Sequence, residues 1–578
     1  MFNYFSDMNK GGLLSTFSTK RITQLLYEYI RKSQKYNNKY NLKSGELLLK
    51  NINNFLSEII KAKHKDKKHT IDLFINNKTD NFNYVKTILE LLNIYKISPT
   101  IPMNLLFNID HKLPYDIDNK IILKNIKFIN NYYFIKKIKL SYKFFKHVGI
   151  SNFFFGYMNN RNDNQYIFKQ LHQIYLNLDS SFIIKYKKNK KKKKKNTNNR
   201  IKVLFISRYL ARQHSVFKDR SEIIARLDKT KYDVYVITDL YKSNKIKKFW
   251  KSQKHINVIS INFTDTSLKS LQKIILLLEF DIIVFCEIGM CFKQYLLAFS
   301  RLAPIQCNSF GHSDTSGIKN IDYFISSKYF ETETSDEYYS EKLIKLDCLS
   351  MYYNNPLIYE DAKITDIKDR GAFIKLLKLS PGSKLYSCFN SFMKFSIECI
   401  ETLNEILKKD KEGILLINFL NINTYRYKYS RYYDIFKKIF GKRFSRIVFM
   451  NKYKFRLKGK IYLFCLKNID CICETFPFGG LNSTYDAIAM NQAVISLPSN
   501  YLSGRFTYGI YKKMGLDKTI AKNKNEYVNL AYKYANDEKF KSDIQSFIKK
   551  NKYKVFEEEK SVDEWNKCLE KLYLSSIR

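Results

Sequence analysis

Residues 201–238 read IKVLFISRYLARQHSVFKDRSEIIARLDKTKYDVYVIT, and this stretch decides the fold. Ile201–Ser207 (IKVLFIS) and Tyr232–Thr238 (YDVYVIT) are short apolar runs, as expected of strands buried on both faces. A helical stretch around Ser221–Leu227 lies between them. Strand, helix and strand in that order give a crossover unit whose strands run parallel. The texture continues through apolar runs at Asp281–Cys286, Ile305–Ser309 and Ile321–Ser326, with a helical stretch near Phe292–Arg301. It restarts at Lys384–Asn390 (KLYSCFN) and runs on through Ile414–Asn418, Ile447–Met450, Ile469–Cys473 and Ala493–Leu497. Helical stretches near Lys524–Ala535, Glu538–Lys550 and Val562–Leu574 close the chain. The expected fold is α/β: two Rossmann-like domains facing a cleft, at 201–370 and at 371–578 with its C-terminal helices. Ligands then sit at the strand C-termini.

Upstream, residues 185–200 hold a lysine run followed by Asn and Thr. Like charges repel and stay solvated, so the run reads as a linker, with contact to nucleic acid or an anionic membrane as the competing reading. Residues 1–184 read as mainly helical. Arg21–Lys32, Gly45–Lys61, Tyr84–Leu92 and Tyr166–Leu178 place Ile, Leu and Phe at three- and four-residue spacings. No convincing 34-residue repeat appears among them.

Over 578 residues, 101 Lys+Arg against 54 Asp+Glu give a formal charge of +47. A hydrophobic fraction of 45% excludes wholesale disorder, and 18 Gly with 8 Pro exclude collagen-like designs. Lys, Asn, Ile, Tyr and Phe are raised together, so part of the charge is compositional. The ten cysteines begin at Cys286 and include no C-x-x-C pair. Cys471 and Cys473 fall on one face of a strand. The pattern reads as buried thiols in a reducing compartment, not as a zinc site or a disulfide framework. The start, MFNYFSD, lacks the features of a signal peptide. Ile274–Phe292 is broken by Glu279, Asp281 and Glu287, too polar to span a membrane. A cytoplasmic protein is expected.

Glu474–Met490 (ETFPFGGLNSTYDAIAM) carries the strongest local chemical signal. It follows a strand ending near Cys473, turns through Gly479 and Gly480, and opens a helix at about Asn482. Paired glycines let backbone approach a ligand closely, and free amides at a helix N-terminus favour phosphate. Asp486, about one turn in, is placed to accept ribose hydroxyls. The competing reading makes Ser483 and Asp486 a capping box and Gly-Gly a plain turn. Cys388–Lys394 (CFNSFMK) repeats the order of strand, loop and helix. There Ser391 can bond a diphosphate and Lys394 can neutralise charge growing on a departing one.

Three residues are candidates for acid or base work. His214 follows the first strand in RQHSVFKDRS, His312 lies in FGHSDTSG, and Glu287 begins EIGM after another strand. A loop histidine that merely bonds backbone is the competing reading for the first two. Asp116 and Asp118 spell Asp-x-Asp in the N-terminal region, where the pattern is read as incidental.

Several motifs then agree in order. RLAPIQC (301–307), GHSDTSG (311–317), IDYFISS (321–327), YSEKL (339–343), ETFPFGGLNSTYDAIAM (474–490) and LPSNYLSGRFTYGIYKKMGL (497–516), continued by Asn525–Asp537, resemble the catalytic region of O-GlcNAc transferases. The likeness is to the bacterial SPINDLY-like members of glycosyltransferase family 41, which also includes O-fucosyl and N-glucosyl transferases. It covers essentially everything after the lysine linker. The resemblance implies a GT-B architecture, inversion at the anomeric carbon, a UDP-sugar as donor substrate and no obligatory metal.

On that resemblance Lys394 matches the lysine that contacts the donor diphosphate, and Ser391 falls where relatives place Gln or Thr. Asn482, Ser483 and Thr484, behind Gly480, match the start of the phosphate-binding helix, and Asp486 matches the ribose-binding aspartate. His214 resembles the histidine lining the acceptor side, and His312 sits in the family's Gly-His-Pro or Gly-Tyr-Pro loop. Ser313 stands where relatives have proline. No histidine follows His312, so the histidines that contact the nucleotide in the animal enzyme have no counterpart here, and Lys458 and Lys460 are the alternative sources of charge. No tetratricopeptide superhelix is recognisable before the linker. The expected function is transfer of a sugar, GlcNAc first, from a UDP-sugar to Ser/Thr hydroxyls of protein. Alternatives are a glycan or lipid-linked acceptor, glucose or fucose as the sugar, and a basic nucleic-acid binder. For the last, charge and aromatics speak but no nucleic-acid motif does.

Overall fold

The computed structural model describes residues 163–184, 200–355, 369–418, 426–450 and 459–577, together with Leu123 and Ile126. The periodic stretches at Arg21–Lys32, Gly45–Lys61 and Tyr84–Leu92, the lysine run, Asp116, Asp118, Lys458 and the side chain of Lys460 lie outside the described residues. Both sheets belong to one compact unit, made of Ser151–His172, Ser181–Leu420 and Ile435–Arg578. Of the described residues, Leu123, Ile126, Gln173–Ser180 and 426–434 fall in a second unit.

The first sheet has seven strands in the order β3-β2-β1-β4-β5-β6-β7. These are β1 (Ile201–Ile206), β2 (Tyr232–Asp239), β3 (Ile256–Ile261), β4 (Ile282–Phe285), β5 (Ile305–Ser309), β6 (Tyr323–Ser327) and β7 (Lys342–Leu346). Every pairing is parallel; β1 meets β2 from Ile201 opposite Tyr232 and meets β4 from Val203 opposite Ile282. The crossover helix Ser215–Arg226 buries Val216, Ile223 and Ile224, the seven- and eight-residue spacing of one helix face. Strands β3 and β7 are absent from the sequence reading. They are the two edges of the sheet, and their residues are largely half-buried or exposed. Their runs therefore lack the continuous apolar character of the interior strands.

The second sheet has the order β10-β9-β8-β11-β12, again all parallel. Its strands are β8 (Lys384–Cys388), β9 (Gly413–Ile417), β10 (Ile447–Phe449), β11 (Cys471–Cys473) and β12 (Val494–Ile495). The Cys471 and Cys473 sulfurs lie 4.0 Å apart on one strand face, and all ten cysteines are buried free thiols.

The helices Lys524–Asn536, Glu538–Asn551 and Glu559–Ile577 match the three expected ones, but the last leaves its own sheet. Its Val562, Trp565, Cys568, Leu569 and Leu572 join the core formed by Val203, Phe205, Val234 and Ile282 of the first sheet. Trp565 Nε1 donates to Ser350 O at 3.1 Å, and Tyr232 Oη donates to Asn566 O at 2.6 Å. The last helix of 371–578 thus packs on the first sheet. An apolar stripe shows that a helix covers something but not which sheet it covers.

Candidate functional site

In a doubly wound sheet the neighbouring strands whose connections lead in opposite directions leave a crevice beyond their C-termini. The strand orders put these switch points between β1 and β4 in the first sheet and between β8 and β11 in the second. His214 follows β1 and Glu287 follows β4. Ser391 and Lys394 follow β8, and Gly480, Asn482, Ser483, Thr484 and Asp486 follow β11. Only His312, after β5, falls elsewhere.

Glu474, the first residue after β11, organises the second crevice, and the sequence reading did not single it out. Its buried carboxylate accepts from Gly480 N at 2.5 Å, Ser496 Oγ at 2.6 Å and Thr507 Oγ1 at 2.6 Å. Burial raises its pKa, and these donors together with Lys394 oppose the rise. The Gly-Gly turn is wrapped closely here. A Cβ on Gly479 would lie 2.8 Å from the Glu474 carboxyl carbon, and one on Gly480 would lie 2.2 Å from Ser483 Oγ. The glycines are therefore needed for close approach.

Lys394 reaches the same turn. Its Nζ donates to Gly479 O and lies 4.3 Å from the Phe478 ring centroid. Desolvation lowers its pKa to about 8 despite the attraction of Glu474, so it is mostly charged at neutral pH. Ser391 is exposed just before the 3-10 turn Phe392–Lys394.

Helix Asn482–Ala489 begins directly after the turn, and no side chain caps it. The capping box of the competing reading is not formed: the N-cap position falls on Leu481, Ser483 lies inside the helix, and Asp486 faces Lys218, with Nζ 3.7 Å from Oδ1. An uncapped helix start beside an ammonium and two glycines favours an anion. Thr484 is turned inward: it is buried, with Oγ1 2.7 Å from Thr507 Oγ1.

In the first lobe His214 is the N-cap of helix Ser215–Arg226. Its Nδ1 accepts from Val216 N at 3.3 Å, and its ring stacks on Tyr209 at 4.3 Å. Burial, aided by Arg212, lowers its pKa to about 4. The ring is thus neutral at pH 7 with its basic nitrogen engaged and its proton on Nε2. Glu287 is fully buried and accepts from Met290 N at 3.0 Å; burial raises its pKa to about 8.

The GHSDTSG loop abuts this end of β4, with Gly311 N donating to Cys286 O at 3.1 Å. The loop is held by Glu341 of YSEKL, which accepts from Thr315 Oγ1 at 2.5 Å and Ser316 N at 2.8 Å. Both His312 and Ser313 are buried in it.

The two lobes meet at helix Asn482–Ala489. Tyr353 Oη donates to Asn482 Oδ1 at 2.8 Å, and its ring stacks on Tyr485 at 4.1 Å with 7° between planes. Asn482 Nδ2 also points to Asp219 Oδ1 at 3.5 Å. Tyr353, Asp219 and Lys218 were missed in the sequence. The last two stood inside the RQHSVFKDRS stretch, but nothing local links them to residues more than 260 positions away.

Comparisons with known proteins bear on the fold and on the sequence as a whole. No family model matches the chain. Two curated relatives, each described as a probable UDP-N-acetylglucosamine–peptide N-acetylglucosaminyltransferase SPINDLY, come from Petunia hybrida and Arabidopsis thaliana. Both are 21% identical over 238 residues, 41% of this chain. The match spans 24% of the length of those relatives. Among solved structures, the Thermobaculum terrenum O-GlcNAc transferase, in a mutant form, superposes with a TM-score of 0.61 at 14% identity, over 97% of this chain and 99% of that one. In fold the chain is a GT-B protein, and in sequence it resembles the catalytic region of the SPINDLY and O-GlcNAc transferase family.

Proposed function

We propose that the chain is a glycosyltransferase that moves a sugar, GlcNAc in the first instance, from a UDP-sugar to Ser or Thr hydroxyls of protein in the cytoplasm. The observation that carries this is the crevice after β8 and β11. There Lys394, the Gly479–Gly480 turn and the uncapped start of helix Asn482–Ala489 come together. In this reading Lys394 and the helix amides take up charge as UDP departs. Asn482 and Ser483 bond phosphate oxygens with Ser391 at the rim, and Asp486 accepts from the ribose. Thr484 and Glu474 hold the cradle. A fixed ammonium performs the neutralisation a divalent metal would otherwise supply, so no metal is obligatory.

The acceptor oxygen attacks the anomeric carbon opposite UDP, the bond to the diphosphate breaks with its electron pair, and the configuration inverts. The hydroxyl proton must also leave. Glu287, raised to about 8, keeps its own proton at neutral pH, and His214 spends its basic nitrogen on Val216. Proton removal therefore falls to His312 or to the departing phosphate. Full turnover by His312→Ala would assign it to the phosphate.

The test is calorimetry with UDP and GDP in EDTA-containing buffer on wild type and Lys394→Ala, followed by a donor screen with peptide products read by mass. Metal-free UDP binding that weakens at least tenfold in the variant supports the reading. Selective GDP binding moves it to a fucosyl donor. Binding of neither nucleotide overturns it and leaves salt-dependent RNA binding by this +47 chain as the alternative to pursue.

A further inference from the structure

The residue facing Asp486 comes from the other lobe. Lys218 lies on the crossover helix Ser215–Arg226 of the first sheet, with its side chain 45% accessible against 14% for Asp486. The ammonium also sits 5.7 Å from the Tyr353 ring centroid, beside the Tyr353–Asn482 hydrogen bond. The titratable groups acting on Asp486 are Lys218, Tyr353 and Tyr462 of helix Gly459–Lys467. Burial raises both tyrosines, so they stay neutral. Burial lowers the pKa of Lys245, and repulsion by Lys218 adds to that lowering. Lys218 thus supplies the positive charge that opposes the rise in the Asp486 pKa caused by burial.

We propose that Lys218 is a positioning residue of the donor site, supplied by the opposite lobe, whose ammonium holds the Asp486 carboxylate as an anion ready to accept from the ribose. This rests on the reading of Asp486 as a donor-binding residue. The donor site is then complete only when the lobes are apposed, since one of its charges belongs to the first sheet. The sign of the effect follows from the chemistry. Without Lys218 nothing offsets the desolvation of Asp486, its carboxyl takes up a proton at a higher pH, and a neutral carboxyl is a poorer acceptor for two hydroxyls.

The experiment is UDP titration of the full chain between pH 6 and 8.5, for wild type, Lys218→Met, Lys218→Arg, Asp486→Asn and the Lys218→Met/Asp486→Asn double variant. Ratios of binding constants cancel the titrations of UDP and of groups that Lys218 does not touch; Asp219, which burial raises to about 7 and Lys218 lowers, is separated from Asp486 by the Asp486→Asn background. The expected result is about tenfold weaker binding by Lys218→Met at pH 6, closing toward wild type by pH 8.5, with Lys218→Arg restoring the profile. In the Asp486→Asn background the Lys218 effect disappears. A Lys218→Met to wild-type ratio that is flat across this range, whether near one or not, overturns the proposal. Wild-type affinity in Asp486→Asn overturns instead the donor-site reading beneath it, so the two failures are distinct.

Discussion

Lys394 carries its charge in surroundings that oppose it. Burial lowers its pKa to about 8, so the free protein loses this proton as pH rises through about 8. An anion held by the ammonium should then bind less well, and UDP affinity is expected to fall as pH rises above about 8. Lys394→Arg, which stays charged throughout, should abolish that fall. Calorimetry at a series of pH values decides it; wild-type affinity unchanged to pH 9.5 would remove Lys394 from the phosphate site. Lys394 and Asp486 were legible because each stands at a recognisable offset from a strand end. Glu474 was not. Its partners Gly480, Ser496 and Thr507 lie 6, 22 and 33 residues away, and a carboxylate after a strand gives no hint that three donors will converge on it.

At the scale of elements, the interior strands could be read as apolar runs because both of their faces are covered. The edge strands β3 and β7 could not. Helix Glu559–Ile577 tests how far an element can act from its neighbours in sequence. Trp565 is fully buried against the first sheet, with its ring 6.1 Å from that of Phe205. Trp565→Ala is expected to cost about 3–5 kcal/mol in urea unfolding followed by circular dichroism. A cost below about 1 kcal/mol would mean that the helix is an appendage and not part of that core.

For the whole molecule, helix Phe506–Met514 ties the lobes together. Arg505 Nε, at its N-cap, donates to Phe330 O at 2.6 Å, and Phe506 packs edge-on to Phe330 at 5.1 Å. Lys513 Nζ pairs with Glu558 Oε1 at 2.5 Å, and the other oxygen of Glu558 accepts from Leu349 N at 3.2 Å. Lys513→Met leaves that carboxylate buried without its partner, at a cost of about 3–5 kcal/mol. The single calorimetric unfolding transition expected of wild type should split or move down. An unchanged thermogram would show that the lobes do not depend on this tie.

What the sequence by itself determined was local in origin: the alternation of strand and helix, the Gly-Gly turn before an open helix, the lysine one loop away and the ordered motifs of the family. Each is assembled from short segments, over which backbone preference and apolar periodicity act directly. Only the tertiary structure decided that the last helix covers the first sheet, that the basic nitrogen of His214 is occupied, and that Lys218 meets Asp486 across the lobes. An apolar stripe, an imidazole or a carboxylate accepts many partners equally well, and close packing of distant segments selects which one it meets.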